Sequence, residues 1–145
     1  MNNKIKFKLS EISQTTKLIA REISNFSVVL LRGELGSGKT TIVSSLLKEL
    51  GVTENITSPT FSIVNQYKIS GKKINHFDLY RVKSELELDV IGFDEYFDEF
   101  SISFIEWPEI AINRIYEMKS ADVLICFKIS IEAHSDYVVV RNCRS

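Results

Sequence analysis

A short glycine-rich stretch, GELGSGKT, combines residue types and a spacing that could bind phosphate. It runs from Gly33 to Thr40 and matches the pattern G-x-x-x-x-G-K-[ST] at every fixed position. Glycines permit backbone conformations in which successive N–H groups point toward an anion. Lys39 adds a cation for the β- and γ-phosphates, and the hydroxyl of Thr40 is a hard oxygen ligand for Mg²⁺. The stretch therefore predicts a nucleoside triphosphate site with magnesium.

A second magnesium ligand is expected from an acidic residue at the end of a neighbouring strand. Asp78, in INHFDLYR, and Glu106, in SISFIEW, both follow apolar, strand-like runs. Because ISFIE has the stronger character of a buried central strand, we place Glu106 near the metal, directly or through water. Asp78 is then expected to position or deprotonate the attacking water. The opposite assignment, and a purely structural role for Asp78, stay open. His76 shares an alternating register with Asp78 and is interpreted as a packed or hydrogen-bonded histidine.

The segment TSPTF, from Thr57 to Phe61, is a candidate switch. Pro59 restricts its backbone, and Ser58 and Thr60 place hydroxyl groups on either side of the proline. A γ-phosphate can order or release such a segment when it lies close to the nucleotide. An ordinary loop that leads into a strand is an equally good interpretation of these residues.

Alternating strands and helices are predicted to position these groups. Strands are expected for IKFKLS, FSVVLLRG, SISFIEW, ADVLICFKIS and YVVVRN, and a hairpin for FSIVNQYKIS and KKINHFDLY around Gly71. Helices are expected for SEISQTTKLIAREIS with Ser10 as N-cap, for the residues after the glycine-rich stretch, and for residues 84–100 with a break at Gly92. This order predicts one α/β domain over residues 1–145. Its expected architecture is a P-loop NTPase-like three-layer fold with a mixed, mostly parallel sheet, flanking helices and a β-hairpin.

The composition is typical of an ordinary globular protein with a net charge of −1. No global basic field is therefore available to hold nucleic acid. Residues 84–100 are acidic and contain no basic residue, which indicates a solvated helical face or, alternatively, a docking surface for a basic partner. Cys126 and Cys143 have no metal-ligand spacing. Without a signal-like or membrane-spanning segment, a cytoplasmic protein is expected.

Five segments together resemble the TsaE (YjeE) family of bacterial proteins. They are GELGSGKTT (33–41), SPTFSIVNQY (58–67), HFDLYR (76–81), IGFDEYFDE (91–99) and IEWPE (105–109). The resemblance covers nearly the whole chain, and SPTF, HFDLYR and EWPE are more specific than the glycine-rich stretch. It implies a small Mg²⁺-dependent ATPase, slow when alone, that supports formation of threonylcarbamoyladenosine next to the anticodon of tRNA. The implied partners are the catalytic subunit TsaD and the scaffold subunit TsaB, and tRNA is reached indirectly through their complex.

The resemblance also assigns roles around the nucleotide. It places ATP or ADP phosphates on a run of loop and helix residues: Leu35, Gly36, Ser37, Gly38, Lys39, Thr40 and Thr41. Lys39 of this set and Asp78 are the two residues expected to be catalytic. The magnesium pair is Thr40 and Glu106, and Asp78 takes the role of orienting water.

Further roles implied by the resemblance lie outside the phosphate run. Ser58 and Thr60 belong to a nucleotide-sensing switch, and the segment from Ser10 to Thr15 approaches the adenine. Trp107 matches a family tryptophan beside the metal carboxylate.

Departures from the family pattern are mild. Glu34 replaces a usual aspartate, Ser37 a frequent alanine, and Ile19 a common glycine. An arginine often found before the last strand has no counterpart, and Asp136 lies nearest to its place. The resemblance therefore does not extend to the phosphate contact of that arginine.

Two other functions are compatible with the glycine-rich stretch. A small-molecule kinase of this class usually carries an arginine-bearing lid, and the sequence shows no lid-like insertion. A nucleotide-gated binding module would use ATP binding for its output, with incidental hydrolysis. No arginine is placed as an obvious finger; Arg81 is the best candidate, and a surface or salt-bridge role is favoured for it. A partner that completes the site would account for slow hydrolysis by the isolated chain.

Overall fold

A computed structural model gives the structure of residues 4–132 and 136–141. Within these ranges seven strands form one sheet: β1 (Lys4–Phe7), β2 (Val28–Arg32), β3 (Val64–Ile69), β4 (Lys72–Asp78), β5 (Ser101–Glu106), β6 (Leu124–Glu132) and β7 (Asp136–Arg141). The helices are α1 (Ile12–Glu22), α2 (Lys39–Glu49), α3 (Glu85–Val90) and α4 (Ile112–Met118). Short 3₁₀ turns cover Leu9–Glu11, Phe93–Tyr96, Pro108–Ala111 and Ala121–Val123.

The strand order is β1-β7-β6-β2-β5-β4-β3, which confirms the predicted mixed sheet. The four inner strands β6, β2, β5 and β4 run parallel, whereas β1, β7 and β3 pair antiparallel toward the edges. β3 and β4 form the predicted hairpin. Its turn residues Ser70 and Gly71 both have positive φ angles, +38° and +81°, as a two-residue hairpin turn requires.

Helices cover both faces of the sheet and produce the expected three layers. Val29 and Leu31 of β2 pack in one apolar cluster with residues of α1 and α2. Val28 and Leu30 point to the opposite face and join a second cluster with residues of α3 and α4. The alternation along β2 therefore anchors the strand that leads into the glycine-rich loop from both sides.

The first helix begins differently from the prediction. Ser10 is not its N-cap, because a 3₁₀ turn precedes α1 and Ser10 lies inside that turn, exposed to solvent. Lys8 caps that turn, and its N–H donates to the carboxylate of Glu11 at 2.9 Å, while Glu11 is the N-cap of α1. A glutamate three residues after the cap thus satisfies the N–H of the capping residue itself.

The acidic segment and the residues after β5 also differ in detail. The break at Gly92 is confirmed, with φ at +68°, but helical structure ends at Tyr96. Asp98 then closes a turn by accepting hydrogen bonds from the Phe100 N–H and the Ser101 hydroxyl, both at 2.9 Å. Helix α4 was not predicted, because Ile115 is its one fully buried residue and the apolar pattern is short.

The acidic segment forms ion pairs with helix α4. Arg114 of α4 pairs with the carboxylates of Asp89, Asp94 and Glu85, at 2.8, 3.5 and 3.6 Å. Part of the acidic segment is thus neutralised within the chain.

None of the helices in the described ranges has the length and apolar character needed to cross a lipid bilayer.

Two sequence features fall partly or wholly outside the described residues. Cys126 is buried in β6 as expected, whereas Cys143 lies outside those residues. The connection between the last two strands, EAHSD, lies mostly outside them as well.

Candidate nucleotide-binding site

The glycine-rich loop connects the buried strand β2 to the first turn of α2. Gly38 precedes this turn with a φ of +99°, in a region that side-chain-bearing residues rarely adopt. A Cβ atom at Gly38 would also lie 2.4 Å from Cε1 of Tyr137. Backbone conformation and the close tyrosine ring both require glycine here. The unpaired N–H groups at the start of α2 therefore open onto the loop, where an anion would be stabilised.

The side chain of Lys39 is held against this loop by carbonyl groups of the loop. Its Nζ donates to the carbonyl oxygens of Gly33 and Glu34, both at 2.8 Å, and to Oγ of Ser37 at 3.3 Å. The ring of Trp107 lies over the ammonium group, 4.3 Å from Nζ to the ring centroid. Burial lowers the pKa of Lys39, while the nearby negative charges oppose this shift. The loop thus holds a mostly buried cation at its centre.

The two candidate acids meet at the ends of neighbouring strands. The parallel register of β4 and β5 places Asp78 directly beside Glu106. Oγ1 of Thr40 donates to Oε1 of Glu106 at 2.8 Å, which joins the start of α2 to the end of β5. The hydroxyl and the carboxylate predicted to form the magnesium pair are therefore in direct contact.

Asp78 lies next to this pair and has its own partners. Its Oδ1 accepts a hydrogen bond from the N–H of Tyr80 at 3.0 Å, and Oδ2 lies 3.4 Å from the hydroxyl of Thr60. Burial raises the pKa of Asp78 above its ordinary value, and the charge of Glu106 adds to this rise. The Tyr80 and Thr60 hydrogen bonds act in the opposite direction. A carboxylate with a raised pKa is a better proton acceptor than an ordinary aspartate.

The donor set suits magnesium. Mg²⁺ in nucleotide sites is usually held by one or two protein oxygens, with phosphate oxygens and water completing its octahedral shell. The contacting pair of Thr40 and Glu106 provides one hydroxyl and one carboxylate, and Asp78 has no hydrogen bond to the hydroxyl of Thr40 among the contacts of the described residues. This geometry favours Glu106 over Asp78 as the nearer ligand, and the metal roles stay predictions.

A histidine that the sequence did not assign to the site supports Glu106. Nε2 of His76 lies 2.5 Å from Oε2 of Glu106, and both side chains are buried. The sequence carried one signal for this contact. His76 and Asp78 are two residues apart in β4 and therefore lie on the same face of the strand, beside the end of the neighbouring strand.

The candidate switch lies beside Asp78. The hydroxyls of Ser58 and Thr60 are 2.7 Å apart, and Thr60 reaches the Asp78 carboxylate as described above. Ile63, with a φ of +71°, donates its N–H to the carbonyl of Pro59 and accepts the N–H of Asp78. The segment is thus connected to the end of β4 through side chains and backbone. Its response to a γ-phosphate stays a prediction.

One cavity of about 490 Å³ contains the predicted phosphate and metal residues together. It is lined by Leu35 through Thr41, Thr60, Asp78 and Glu106, and by four aromatic or basic residues: Tyr80, Arg81, Trp107 and Tyr137. Trp107 has a φ of +55° and its ring contacts that of Tyr80, with centroids 4.8 Å apart. The contribution of Tyr80 and Tyr137 was missed, because neither belongs to a phosphate-binding pattern.

The predicted adenine segment lies to one side of this cavity. Ser10 is exposed, and Thr15 is buried with its hydroxyl bonded to the carbonyl of Glu11 at 3.0 Å. Their neighbours Ile12 and Ser13 line a second cavity of about 390 Å³ that extends from Thr40 and Thr41. The role of Ser10 and Thr15 in nucleotide binding therefore stays a prediction, and the residues between them lie nearer to the loop.

Comparisons with known proteins identify similar chains. A sequence model of the family described as "Threonylcarbamoyl adenosine biosynthesis protein TsaE" matches residues 8–139. A protein of Haemophilus influenzae named "tRNA threonylcarbamoyladenosine biosynthesis protein TsaE" is 43% identical over 98 residues, which cover 68% of this chain and 60% of that protein. A protein of the same name from Rickettsia felis is 41% identical over 101 residues, 69% of this chain and 58% of the relative. The alignments with these two relatives thus span less than two thirds of their length.

Longer matches extend the similarity. The Synechocystis protein of the same name is 36% identical over 114 residues, which cover 74% of this chain and 72% of the relative. Among solved structures, the crystal structure of Bacillus subtilis YdiB matches with a TM-score of 0.62 and 26% sequence identity. That match covers 97% of this chain and 86% of YdiB.

Proposed function

The chain belongs to the TsaE family, and we propose from this premise that it is a Mg²⁺-dependent, ATP-hydrolysing subunit in tRNA threonylcarbamoyladenosine formation. The observation that carries the proposal is the contact between Thr40 and Glu106 at the base of a cavity lined by the glycine-rich loop. A triphosphate on this loop would lie beside two carboxylates, one suited to the metal and one suited to the attacking water.

Each residue of the cavity has a distinct task in this proposal. The N–H groups of the loop and Lys39 bind the β- and γ-phosphates, and Thr40 with Glu106 would hold the magnesium ion. When bound, magnesium neutralises charge on the phosphate oxygens. Asp78 orients the attacking water and accepts its proton, a role that its raised pKa favours. Thr60 connects Asp78 to the segment from Ser58, so that segment would sense whether the γ-phosphate is present.

Slow hydrolysis by the isolated chain is part of this proposal, and the contact of Arg81 supports it. Its guanidinium lies over the exposed ring of Phe61, 4.5 Å from Cζ to the ring centroid. An arginine that stabilises the transferring phosphate is worth about 10³–10⁵ in rate. We propose that association with TsaD and TsaB supplies or repositions such a charge. The same partners would hold the tRNA, since the chain itself has a net charge of −1. Action on tRNA would take place in the cytoplasm.

The test measures ATP turnover and tRNA modification by the chain alone and together with TsaD and TsaB. The informative variant is Asp78→Asn, which keeps an oxygen for the Tyr80 N–H but removes the proton acceptor. Wild-type turnover should be low alone and rise by at least about tenfold with the partners. The variant should bind ATP, hydrolyse it at least about 100-fold more slowly and fail to support repeated tRNA modification.

Two results would contradict the proposal in different ways. Equal turnover with and without the partners would indicate an independent nucleotidase. Full tRNA modification by Asp78→Asn despite lost hydrolysis would indicate a module that needs ATP binding alone.

A further inference from the structure

We propose that His76 is a positioning residue that fixes the carboxylate of Glu106 and leaves one of its oxygens for the magnesium shell. The inference rests on the proposed function, because it concerns the same metal site. Nε2 of His76 lies 2.5 Å from Oε2 of Glu106, while Oε1 accepts the hydroxyl of Thr40 at 2.8 Å. The two carboxylate oxygens therefore have separate partners, one from the sheet and one from the glycine-rich loop.

Strand register puts the imidazole in this place. Asp78 pairs with Glu106 and His76 with Phe104 in the parallel ladder between β4 and β5. Because side chains alternate along a strand, His76 and Asp78 share one face and flank the Glu106 carboxylate. The opposite face of β4 has a separate hydrogen-bond network, in which Asn75 contacts Gln66, Ser103 and the carbonyl of Tyr96. The histidine is thus directed specifically to the metal carboxylate.

The hydrogen-bond inventory of His76 points to a single task. The side chain is fully buried, and Nδ1 has no hydrogen-bond partner among the described residues. An imidazole with its proton on Nε2 donates to Glu106 and leaves only a lone pair unmatched at Nδ1. The opposite tautomer would bury an unpaired N–H and bring a lone pair against a carboxylate oxygen. The Nε2–H tautomer therefore accounts for the contact.

Loss of this donor would affect the metal more than the nucleotide. Glu106 is buried beside a second carboxylate, Asp78, so an unrestrained Glu106 would lose a hydrogen bond and could rotate away from Thr40. Outer-shell partners of this kind typically change metal affinity or activity by about 10–100-fold. The phosphate contacts of Lys39 and the loop N–H groups do not involve His76 and should persist.

Two variants of similar size and polarity separate positioning from packing. His76→Gln places an amide donor near the position of Nε2, whereas the shorter His76→Asn carries its amide near Nδ1, away from Glu106. ADP affinity is measured by calorimetry on the full chain, in Mg²⁺ and in EDTA. We expect His76→Asn to weaken the Mg²⁺-dependent part of ADP affinity by about 10–100-fold while affinity in EDTA changes by less than about twofold. His76→Gln should retain most of the wild-type Mg²⁺ dependence.

Each other outcome overturns a defined statement. Equal losses in Mg²⁺ and in EDTA, or retention of the wild-type Mg²⁺ dependence by both variants, would show that His76 only packs, and the proposed function would stand. A wild-type chain whose ADP affinity is insensitive to Mg²⁺ would overturn the magnesium site and the role of His76 together.

A measurement on the wild-type chain covers the case in which His76→Asn does not fold. Long-range ¹⁵N–¹H spectra report which imidazole nitrogen carries the proton. The proton should reside on Nε2 of His76, and addition of Mg²⁺ and ADP should shift this resonance because Glu106 changes its partner. A proton on Nδ1, or a resonance that does not respond, would overturn the inference.

Discussion

The two ends of the candidate nucleotide cavity are built in different ways. The carboxylate end, defined by Thr40, His76, Asp78 and Glu106, is formed by hydrogen-bonded side chains at the ends of β4 and β5 and at the start of α2. Glu106 is only 2% exposed. The loop rim consists of Leu35, Gly36 and Arg81, which line the cavity, and of Phe61, which contacts Arg81. It lies in connecting segments, where Leu35 is 70% and Phe61 83% exposed. Chemistry that needs fixed geometry is thus placed on the sheet, and contacts that a partner could alter are placed on loops.

The difference has a physical origin in the hydrogen bonds of each end. Register between β4 and β5 orders the buried carboxylates before any ligand binds, because strand pairing sets the positions of both acids. At the rim, the contact between Arg81 and Phe61 is exposed, and exposed cation–π pairs contribute only about 0.5–1 kcal/mol. The carboxylate end should therefore be sensitive to single substitutions, whereas the rim should tolerate them in the isolated chain.

The largest effect is expected for Glu106→Gln at the carboxylate end. The amide removes the charge that Thr40 and His76 surround, so Mg²⁺-dependent ATP turnover should fall by at least about 100-fold. Glu109→Gln is the matched control, because Glu109 lies three residues away with an exposed carboxylate that pairs with Arg32 at 3.5 Å. Its turnover should stay within about twofold of wild type. Similar losses for both variants would remove the distinction between buried and exposed carboxylates.

The next effect compares two glycines of the loop, Gly36 in the rim and Gly38 at the start of α2. Gly38→Ala and Gly36→Ala both place a side chain at positive φ, which costs roughly 1–2 kcal/mol. The new Cβ at Gly38 would also meet the ring of Tyr137 at 2.4 Å, whereas nothing lies within 4 Å at Gly36. Urea unfolding without nucleotide should show a loss of about 1–2 kcal/mol for Gly36→Ala and roughly 1–3 kcal/mol more for Gly38→Ala.

Removal of the tyrosine ring tests the cause of this difference. In a Tyr137→Ala background, the extra cost of Gly38→Ala should shrink toward that of Gly36→Ala. A difference that persists without the ring would assign the cost to backbone conformation at Gly38 alone.

Local sequence patterns predicted the parts of the fold that local physics determines. The continuous apolar run of β2, the hairpin at Gly71 and the glycine-rich loop were all confirmed. Helix α4 was missed because one buried isoleucine in seven residues leaves no clear period. The predicted cap of the first helix was wrong because a 3₁₀ turn over Leu9–Glu11 precedes α1 and contains Ser10.

The site was predictable as a set of residues but not as a geometry. Lys39 and Thr40 follow from one contiguous pattern, and Glu106 and Asp78 follow from their places after apolar runs. Which acid contacts Thr40 depends on strand order and register, which join residues 66 positions apart. Hydrophobic periodicity contains no information on that pairing. The contact of His76 has the same origin, since it exists only once β4 lies beside β5.

A smaller effect at the carboxylate end concerns stability and pH. The raised pKa of Asp78 means that its charge is disfavoured in the folded chain, a penalty present above the folded pKa and absent below the unfolded value of 3.8. Asp78→Asn should therefore increase the free energy of unfolding at pH 7. The gain should vanish as the pH falls below about 4. Urea unfolding at both pH values provides the measurement.

Asp98 gives a control of opposite sign. Hydrogen bonds from Ser101 and the Phe100 N–H hold its pKa below the ordinary value. Its ionised form thus stabilises the fold above the unfolded pKa, and this contribution is lost as the pH falls through the folded pKa. Asp98→Asn should therefore destabilise the chain at pH 7 and have less effect at acidic pH.

A loss of stability for Asp78→Asn at pH 7 would contradict the buried-charge interpretation of the carboxylate end.

The smallest effect on the isolated chain is expected at the loop rim. Phe61→Ser removes an exposed ring and the surface on which Arg81 rests. The free energy of unfolding should change by less than about 0.5 kcal/mol, because exposed substitutions rarely cost more. ATP turnover without partners should stay within about twofold of wild type, since the carboxylate end is untouched. Stimulation by TsaD and TsaB should decrease, because Arg81 loses the ring that positions it.

Phe100→Ser is the matched control: Phe100 is 60% exposed but precedes β5, at the strand end opposite Glu106. If both serine variants respond equally to the partners, the rim has no special part in completing the site; if Phe61→Ser alone slows solitary turnover, the rim belongs functionally to the carboxylate end.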